Sequence, residues 1–188
     1  EGTSLDDLIA HPHGRDFGPL APRIPEVLRT PSGRIELAAE PLRADLDRLW
    51  SSAAELAERG LVLVGRRHLR SNNSWMHNVK VLVKGKPRCT LQVHPDDAGS
   101  LGLVDGGAAR VTSRVGSVQA PVEVTESIRP GVVSLPHGWG HDLPGAQLRV
   151  AAEHAGVNSN TLSDDAAIDP LSGTSVLNGI PVTVGPAG

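Results

Sequence analysis

The residues with the clearest capacity for chemistry lie in one run, Gly65-Arg66-Arg67-His68-Leu69-Arg70-Ser71-Asn72-Asn73-Ser74-Trp75-Met76-His77-Asn78. Its three arginines supply planar forks of donors that match phosphate oxygens. Ser71, Asn72, Asn73 and Ser74 add short hydrogen-bonding groups that tolerate tight turns. Trp75 offers a flat face and one N–H donor. Gly65 frees the backbone to turn and lets a ligand come close. His68 and His77 add ring nitrogens. Such a set suits a phosphate-bearing heterocyclic ligand. The competing reading is a solvated basic loop, because charge runs usually lie on the surface. The crowding of Asn72, Asn73, Trp75 and His77 into one short loop after an apolar strand favours a site.

Charge is segregated around this run. Between Glu58 and Asp96 there is no acidic residue, whereas Arg59, Arg66, Arg67, Arg70, Lys80, Lys84, Lys86 and Arg88 fall inside it. After Arg114 seven acids face only Arg129 and Arg149. A chain of net charge -3 has therefore concentrated its positive charge locally, and local concentration governs anion binding.

Two further segments are candidates. Pro136-His137-Gly138-Trp139-Gly140-His141 sets a Trp and two His among glycines, as a ligand-facing loop or a packed turn. The His137–His141 spacing would share a helix face, but Gly138 and Gly140 argue against a helix. Beyond Asp142 no further zinc ligand stands in register. The third segment, Gly156 to Leu162 followed by Asp164-Asp165 and Asp169 to Gly173, reads by itself as Asx turns and a helix cap.

These loops need strands to hold them. The chain has 188 residues, 36 of them Gly or Pro, which favours many short strands over long helices. The aliphatic runs Leu61–Val64, Val79–Val83, Thr90–Val93, Val132–Leu135 and Pro181–Val184 read as strands. Ala108–Ser113 and Ser117–Val124 read as a hairpin around Val115-Gly116. Pro95–Leu101 reads as a helix closed by Gly102, and residues 146–155 as another ended by Gly156. Leu42, Leu46, Leu49, Ala53 and Leu56 form one apolar stripe of a helical lead-in over 41–59. A Ser52/Glu55 capping box there suggests a break near Ser51. Residues 1–40, with prolines at 12, 19, 22, 25 and 31, read as an extended connector. Residues 60–188 form a mainly β domain with a few helices, a small barrel.

Taken in order, these segments resemble the molybdopterin dinucleotide-binding domain of the dimethyl sulfoxide reductase family. That family includes formate dehydrogenases and nitrate reductases. The resemblance runs over nearly all of residues 61–184. It begins with Leu63-Val64-Gly65-Arg66 and the polar loop through Asn78. It continues through Val93 to Ala98, Leu101 to Gly106, Ala109 to Gly116, Pro130 to Val133, Pro136 to Trp139, Asn158 to Leu162 and Asp169 to Gly173. Upstream, Thr30 to Leu37 looks like the segment that precedes the domain. Some relatives carry a Trp-His-Thr-like run where this chain has Asn73 to Asn78, so the resemblance selects no one branch.

The resemblance implies a double-psi β-barrel of the formate dehydrogenase/aspartate decarboxylase type. It also implies that the domain closes over bis-molybdopterin guanine dinucleotide, with molybdenum carrying the redox chemistry. By position, Arg66, Arg67, His68, Arg70, Ser71, Asn72, Asn73 and His77 would be the main contacts beside Gly65. His137, Gly138, Asn158 and Thr161 would be secondary. The metal's protein ligand and any iron–sulfur cluster would lie upstream in the remaining domains of the same polypeptide. The chain starts without Met and reads as a piece of a longer enzyme. It is therefore expected to have no turnover alone, and Arg66→Ala or Arg70→Ala to lower cofactor content in the parent.

Other classes find less support. There is no Gly-x-x-x-x-Gly-Lys loop and no Gly-x-Ser-x-Gly elbow. Cys89 alone excludes an internal disulfide or a cysteine metal cluster, reads as core, and fits a reducing compartment such as the cytoplasm. No apolar run is long enough to span a bilayer. The rival is a non-catalytic double-psi barrel that binds an acidic protein or a nucleic acid. Against nucleic acid, the basic loop holds one aromatic where stacking platforms need several.

Overall fold

A computed structural model describes residues 2–58 and 60–188; Arg59 and the side chains of residues 53–58 lie outside what it describes. The chain divides into two compact units, Glu1–Arg43 and Ala44–Gly188. In the first, helix α1 (Leu5–Ala10) is started by a reciprocal capping box between Ser4 and Asp7. From there to residue 39 the chain is turns and irregular backbone, and none of the described residues 2–43 is buried.

Helices α2 (Glu40–Ala44) and α3 (Leu46–Glu58) follow. The break lies at Asp45, not near Ser51. The Ser51 and Ser52 hydroxyls donate to the Asp47 and Leu49 carbonyls inside α3, while Asp45 accepts from the Arg48 guanidinium. Leu42, Leu46 and Leu49 of the apolar stripe are exposed, at 57%, 46% and 45%.

The second unit is built on one mixed sheet. Its strands are β1 (Val62–Arg66), β2 (Leu91–Val93), β3 (Ala108–Thr112), β4 (Ser117–Val124), β5 (Val132–Pro136), β6 (Ile180–Pro181) and β7 (Thr183–Pro186). The order is β6-β1-β5-β2-β4-β3-β7. Pairs β1/β5 and β2/β4 are parallel, and β3/β4 is the expected hairpin. The C-terminal strand reading splits in two at Val182: β6 pairs with β1 and β7 with β3, so the segment changes neighbours. Leu63, Leu91, Val93, Val111, Val122, Val133, Leu135 and Val184 point into one aliphatic core. Helix α5 (Pro95–Leu101) caps it, starting on the His94 side chain and ending at Gly102 in the left-handed region.

Two sequence readings are corrected. Residues 79–83 are not a strand but a helical turn, α4 (Lys80–Val83). Short apolar runs are ambiguous in period. Here the Arg88 guanidinium donates to the Leu82 and Lys84 carbonyls and so satisfies the end of the turn. The expected helix over 146–155 is only α6 (Arg149–Ala152): Leu148 has non-helical backbone, and the Asn78 side chain accepts from the Val150 and Ala151 N–H groups at the helix start.

Candidate functional site

The parallel register sets the site. Val62 faces Val132 and Arg66 faces Pro136, so β1 and β5 end at the same level. Their loops, residues 67–79 and 137–141, leave from the same edge. The His137 N–H donating to the Arg66 carbonyl (3.0 Å) adds one more rung. Parallel strands deliver their carboxyl-end loops together in this way. Gly65 is not a turn: it is an ordinary β1 residue facing Leu135, and its N–H donates to Asn178 Oδ1 at 2.8 Å.

The first loop is tightly wound. Asn72 and Asn73 both take left-handed backbone conformations (φ 43 and 60), which Asn tolerates better than other non-glycine residues. Gly138 (φ +90) presses on it so closely that a Cβ there would overlap the Asn73 carbonyl. Gly140 (φ +103) lies against Asn158, where a Cβ would meet the Asn158 Cβ at 2.7 Å. The two glycines of the second loop thus lock the first and third loops to it. Asn78 closes the first loop by accepting from the Val150 and Ala151 N–H groups at the start of α6.

The predicted site residues fall into two sets. Arg67, Arg70, Asn72 and Asn73 are exposed, and Arg67 donates to the Asn73 side chain. Arg67, His68, Ser71, Asn72, Asn73 and His137 line one cleft. Gly65, Arg67 and His137 line a second together with Ser159, Asn160, Ser163 and Asn178. No acidic side chain lines either cleft.

Arg66 points the other way. Its guanidinium donates to the carbonyls of Ser134 (2.6 Å) and Thr90 (2.7 Å) and to the Thr90 hydroxyl (2.8 Å), with Glu123 at 3.9 Å. Ser71 and His77 are buried. Gly138 and Asn158 join the loops, the Asn158 side chain capping the 3-10 turn Ser159–Leu162. The Thr161 carbonyl lies against Gly116 of the β-hairpin, and Thr161 does not line either cleft. Ser159 lies in the third candidate segment, though not among the predicted contacts, and Asn178 had no sequence signal beyond being a turn residue. Only the pairing of β6 with β1 brings Asn178 beside Gly65.

His77 is the most enclosed polar group, 1% exposed and stacked on Trp139 with ring centroids 4.0 Å apart. Burial, reinforced by neighbouring His141, pushes its pKa down to about 4. Burial also lowers those of His68 and His141. The unfolded chain therefore binds more protons at His77 than the folded one between about pH 4 and 6.5. This contribution to stability is complete above pH 6.5 and is lost as pH falls toward 4. Urea unfolding across that window is expected to show a loss on the order of 1–3 kcal/mol that His77→Gln flattens. An equal pH slope in the variant would refute it.

Cys89 is buried, with its pKa raised by burial, and Gly156 packs on it; it is core, not a nucleophile. Among the described residues no three His, Cys, Asp or Glu side chains cluster as a metal site. Among them no helix is long and apolar enough to cross a membrane.

Residues 61–181 match the family model described as "Molydopterin dinucleotide binding domain". The chain is 32% identical over 124 residues to the molybdopterin-containing subunit of arsenate respiratory reductase from Chrysiogenes arsenatis, covering 62% of this chain and 14% of that protein. It is 30% identical over 109 residues to dimethyl sulfoxide/trimethylamine N-oxide reductase from Rhodobacter capsulatus, covering 56% and 13%. The match thus spans about a seventh of these relatives' length. Acetylene hydratase from Pelobacter acetylenicus shares the fold: TM-score 0.62 and 23% identity over 84% of this chain and 24% of that one.

Proposed function

The chain belongs to the molybdopterin dinucleotide-binding domain family of molybdenum oxidoreductases, a double-psi β-barrel class, and on that basis we infer that its paired clefts hold bis-molybdopterin guanine dinucleotide by its phosphates and pterins. The observation that carries this reading is the acid-free edge where three loops converge on Arg67. Arg67 and Arg70 are exposed and, among the described residues, have no acidic partner. His68 Nε2 is buried without a hydrogen-bond partner, as an atom awaiting a ligand would be. These groups fit a polyphosphorylated heterocycle.

Arg67 and Arg70 would oppose the phosphates. Asn72, Asn73, Ser159, Asn160 and Asn178 would supply hydrogen bonds to the linkers and ring edges. The bound group supplies the redox chemistry, and the protein supplies orientation and charge. The metal's protein ligand and an iron–sulfur cluster belong, in this proposal, to other parts of a longer enzyme, and this chain alone has no turnover. In that enzyme Arg67→Ala with Arg70→Ala is expected to lower retained molybdenum and guanine nucleotide about tenfold, roughly one charge-assisted hydrogen bond's worth. Arg70 borders the first cleft beside His68 and Leu69, and the control is Arg129→Ala, which precedes β5 at the end of that strand away from both clefts. Normal content in the double variant would overturn the assignment.

A further inference from the structure

His77 joins two hydrogen bonds that end in different places. Its Nδ1 lies 2.8 Å from His141 Nε2, and its Nε2 lies 2.8 Å from Ser71 Oγ. Ser71 lines the cleft with Arg67, Asn72 and Asn73. His141 sits on the second loop, partly exposed, next to Asp142. A neutral imidazole has one donor and one acceptor nitrogen, so a continuous chain through the ring requires a partner on each. This one has both ring nitrogens engaged, and stacking on Trp139 fixes its plane.

We propose that Ser71, His77 and His141 form a proton relay between solvent and the cofactor cleft. This rests on the assignment of the cleft as the cofactor site. One proton enters and one leaves. Solvent protonates His141 at Nδ1, and its Nε2 proton passes to His77 Nδ1. The His77 Nε2 proton passes to Ser71 Oγ, and the Ser71 hydroxyl proton passes to a basic atom of the ligand. Each group ends with the number of protons it began with, and no electrons move. The relay needs a neutral His77, because an imidazolium has no acceptor nitrogen. Burial and the charges around the ring supply that: His141 and His68 face it, Arg88 lies nearby, and only the Gly138 carbonyl favours its cation. At the outer end burial lowers the pKa of His141 as well, and the neighbouring Asp142 charge offsets part of that.

The test has two arms. In the first, nitrogen-15 NMR of the imidazoles in the 188-residue chain follows His77 while pH is varied. His77 is expected to stay neutral while its tautomer balance shifts as His141 titrates, and His141→Ala should abolish that shift. A His77 ring indifferent to His141→Ala overturns the relay. In the second, the parent enzyme carrying His141→Ala is reduced with dithionite and the molybdenum signal is followed by electron paramagnetic resonance. Molybdenum content should match wild type. Reduction should slow about 10²-fold, the low end for a positioned proton-transfer group, and added imidazole should restore it. Full molybdenum with an unchanged rate overturns the relay alone. Loss of molybdenum from the variant, without rescue, overturns it in favour of a structural role. Wild-type enzyme without molybdenum overturns the cofactor reading beneath it. His77→Gln serves as a second variant, keeping a bond to one side only, and should show the same slowing without rescue by imidazole.

Discussion

Gly138→Ala is expected to destabilise the chain by about 4 kcal/mol, as the sum of two separate effects. The backbone at 138 has φ +90, where an L side chain is strained by roughly 1–3 kcal/mol. The new methyl would also overlap the Asn73 carbonyl, which is held by the wound first loop and cannot retreat. Overpacking of that kind costs about 1–3 kcal/mol. Gly131→Ala separates the terms, because Gly131 has φ +79 but open space around the added methyl. It should lose only the strain, about 1–2 kcal/mol. Urea denaturation midpoints at constant slope give both numbers. Equal losses in the two variants would mean that the second loop does not press on the first. The functional consequence follows from the same contact: Gly138→Ala should also loosen Asn72 and Asn73, and the parent should retain less cofactor than Gly131→Ala.

Strand positions were the most readable part of the sequence. Leu61–Val64, Thr90–Val93 and Val132–Leu135 are aliphatic runs bounded by turn residues, and each lands within a residue or two of β1, β2 and β5. Local chemistry decided them. Val79–Val83 looks the same by composition, yet folds as α4, because its fate is set by a partner 5 residues beyond it, Arg88. The helix expected over 146–155 failed for a related reason: Asn78, about seventy residues away in sequence, caps α6 at its start.

The site was legible as a loop but not as a division of labour. Composition marks Gly65–Asn78 as basic and turn-rich, and the structure places that loop on an acid-free edge. It cannot tell which arginine turns inward. Strand alternation does not decide that, since Arg66 shares a face with Val64 and not with buried Leu63; Arg66 is held inward by the Ser134 and Thr90 carbonyls of the neighbouring β5 and β2 segments, which accept from its guanidinium. Arg67, one residue on, has left the strand and faces the clefts. Ser159 and Asn160 were visible only as members of a turn-rich segment, and Asn178 stayed hidden, because all three reach the cleft through chain crossings of about a hundred residues, which no local pattern encodes.

That inward turn gives the second large prediction. Sequence alone expects Arg66→Ala to lower cofactor content; the structure makes the loss one of folding. Removing the guanidinium strands the Ser134 and Thr90 carbonyls and leaves Glu123 without its counter-charge. Burial tends to raise the Glu123 pKa, but hydrogen bonds from Thr90 and Gln92 together with the Arg66 charge hold it below the usual value. Arg66 is largely buried but the Glu123 side chain is 43% exposed, so most of the cost lies in the stranded carbonyls, about 2–4 kcal/mol in all. Arg66→Lys should recover little, because a single ammonium cannot reproduce a planar fork serving two strands. Adding Glu123→Gln to Arg66→Ala should recover part of the loss, on the order of 1 kcal/mol, since it removes the stranded charge. The measurement is chemical denaturation of the four chains in a double-mutant cycle, alongside molybdenum content of the corresponding parent enzymes. If Arg66→Ala unfolds at the wild-type midpoint yet retains no molybdenum, Arg66 acts on the cofactor directly and its inward hydrogen bonds are not what maintain the fold.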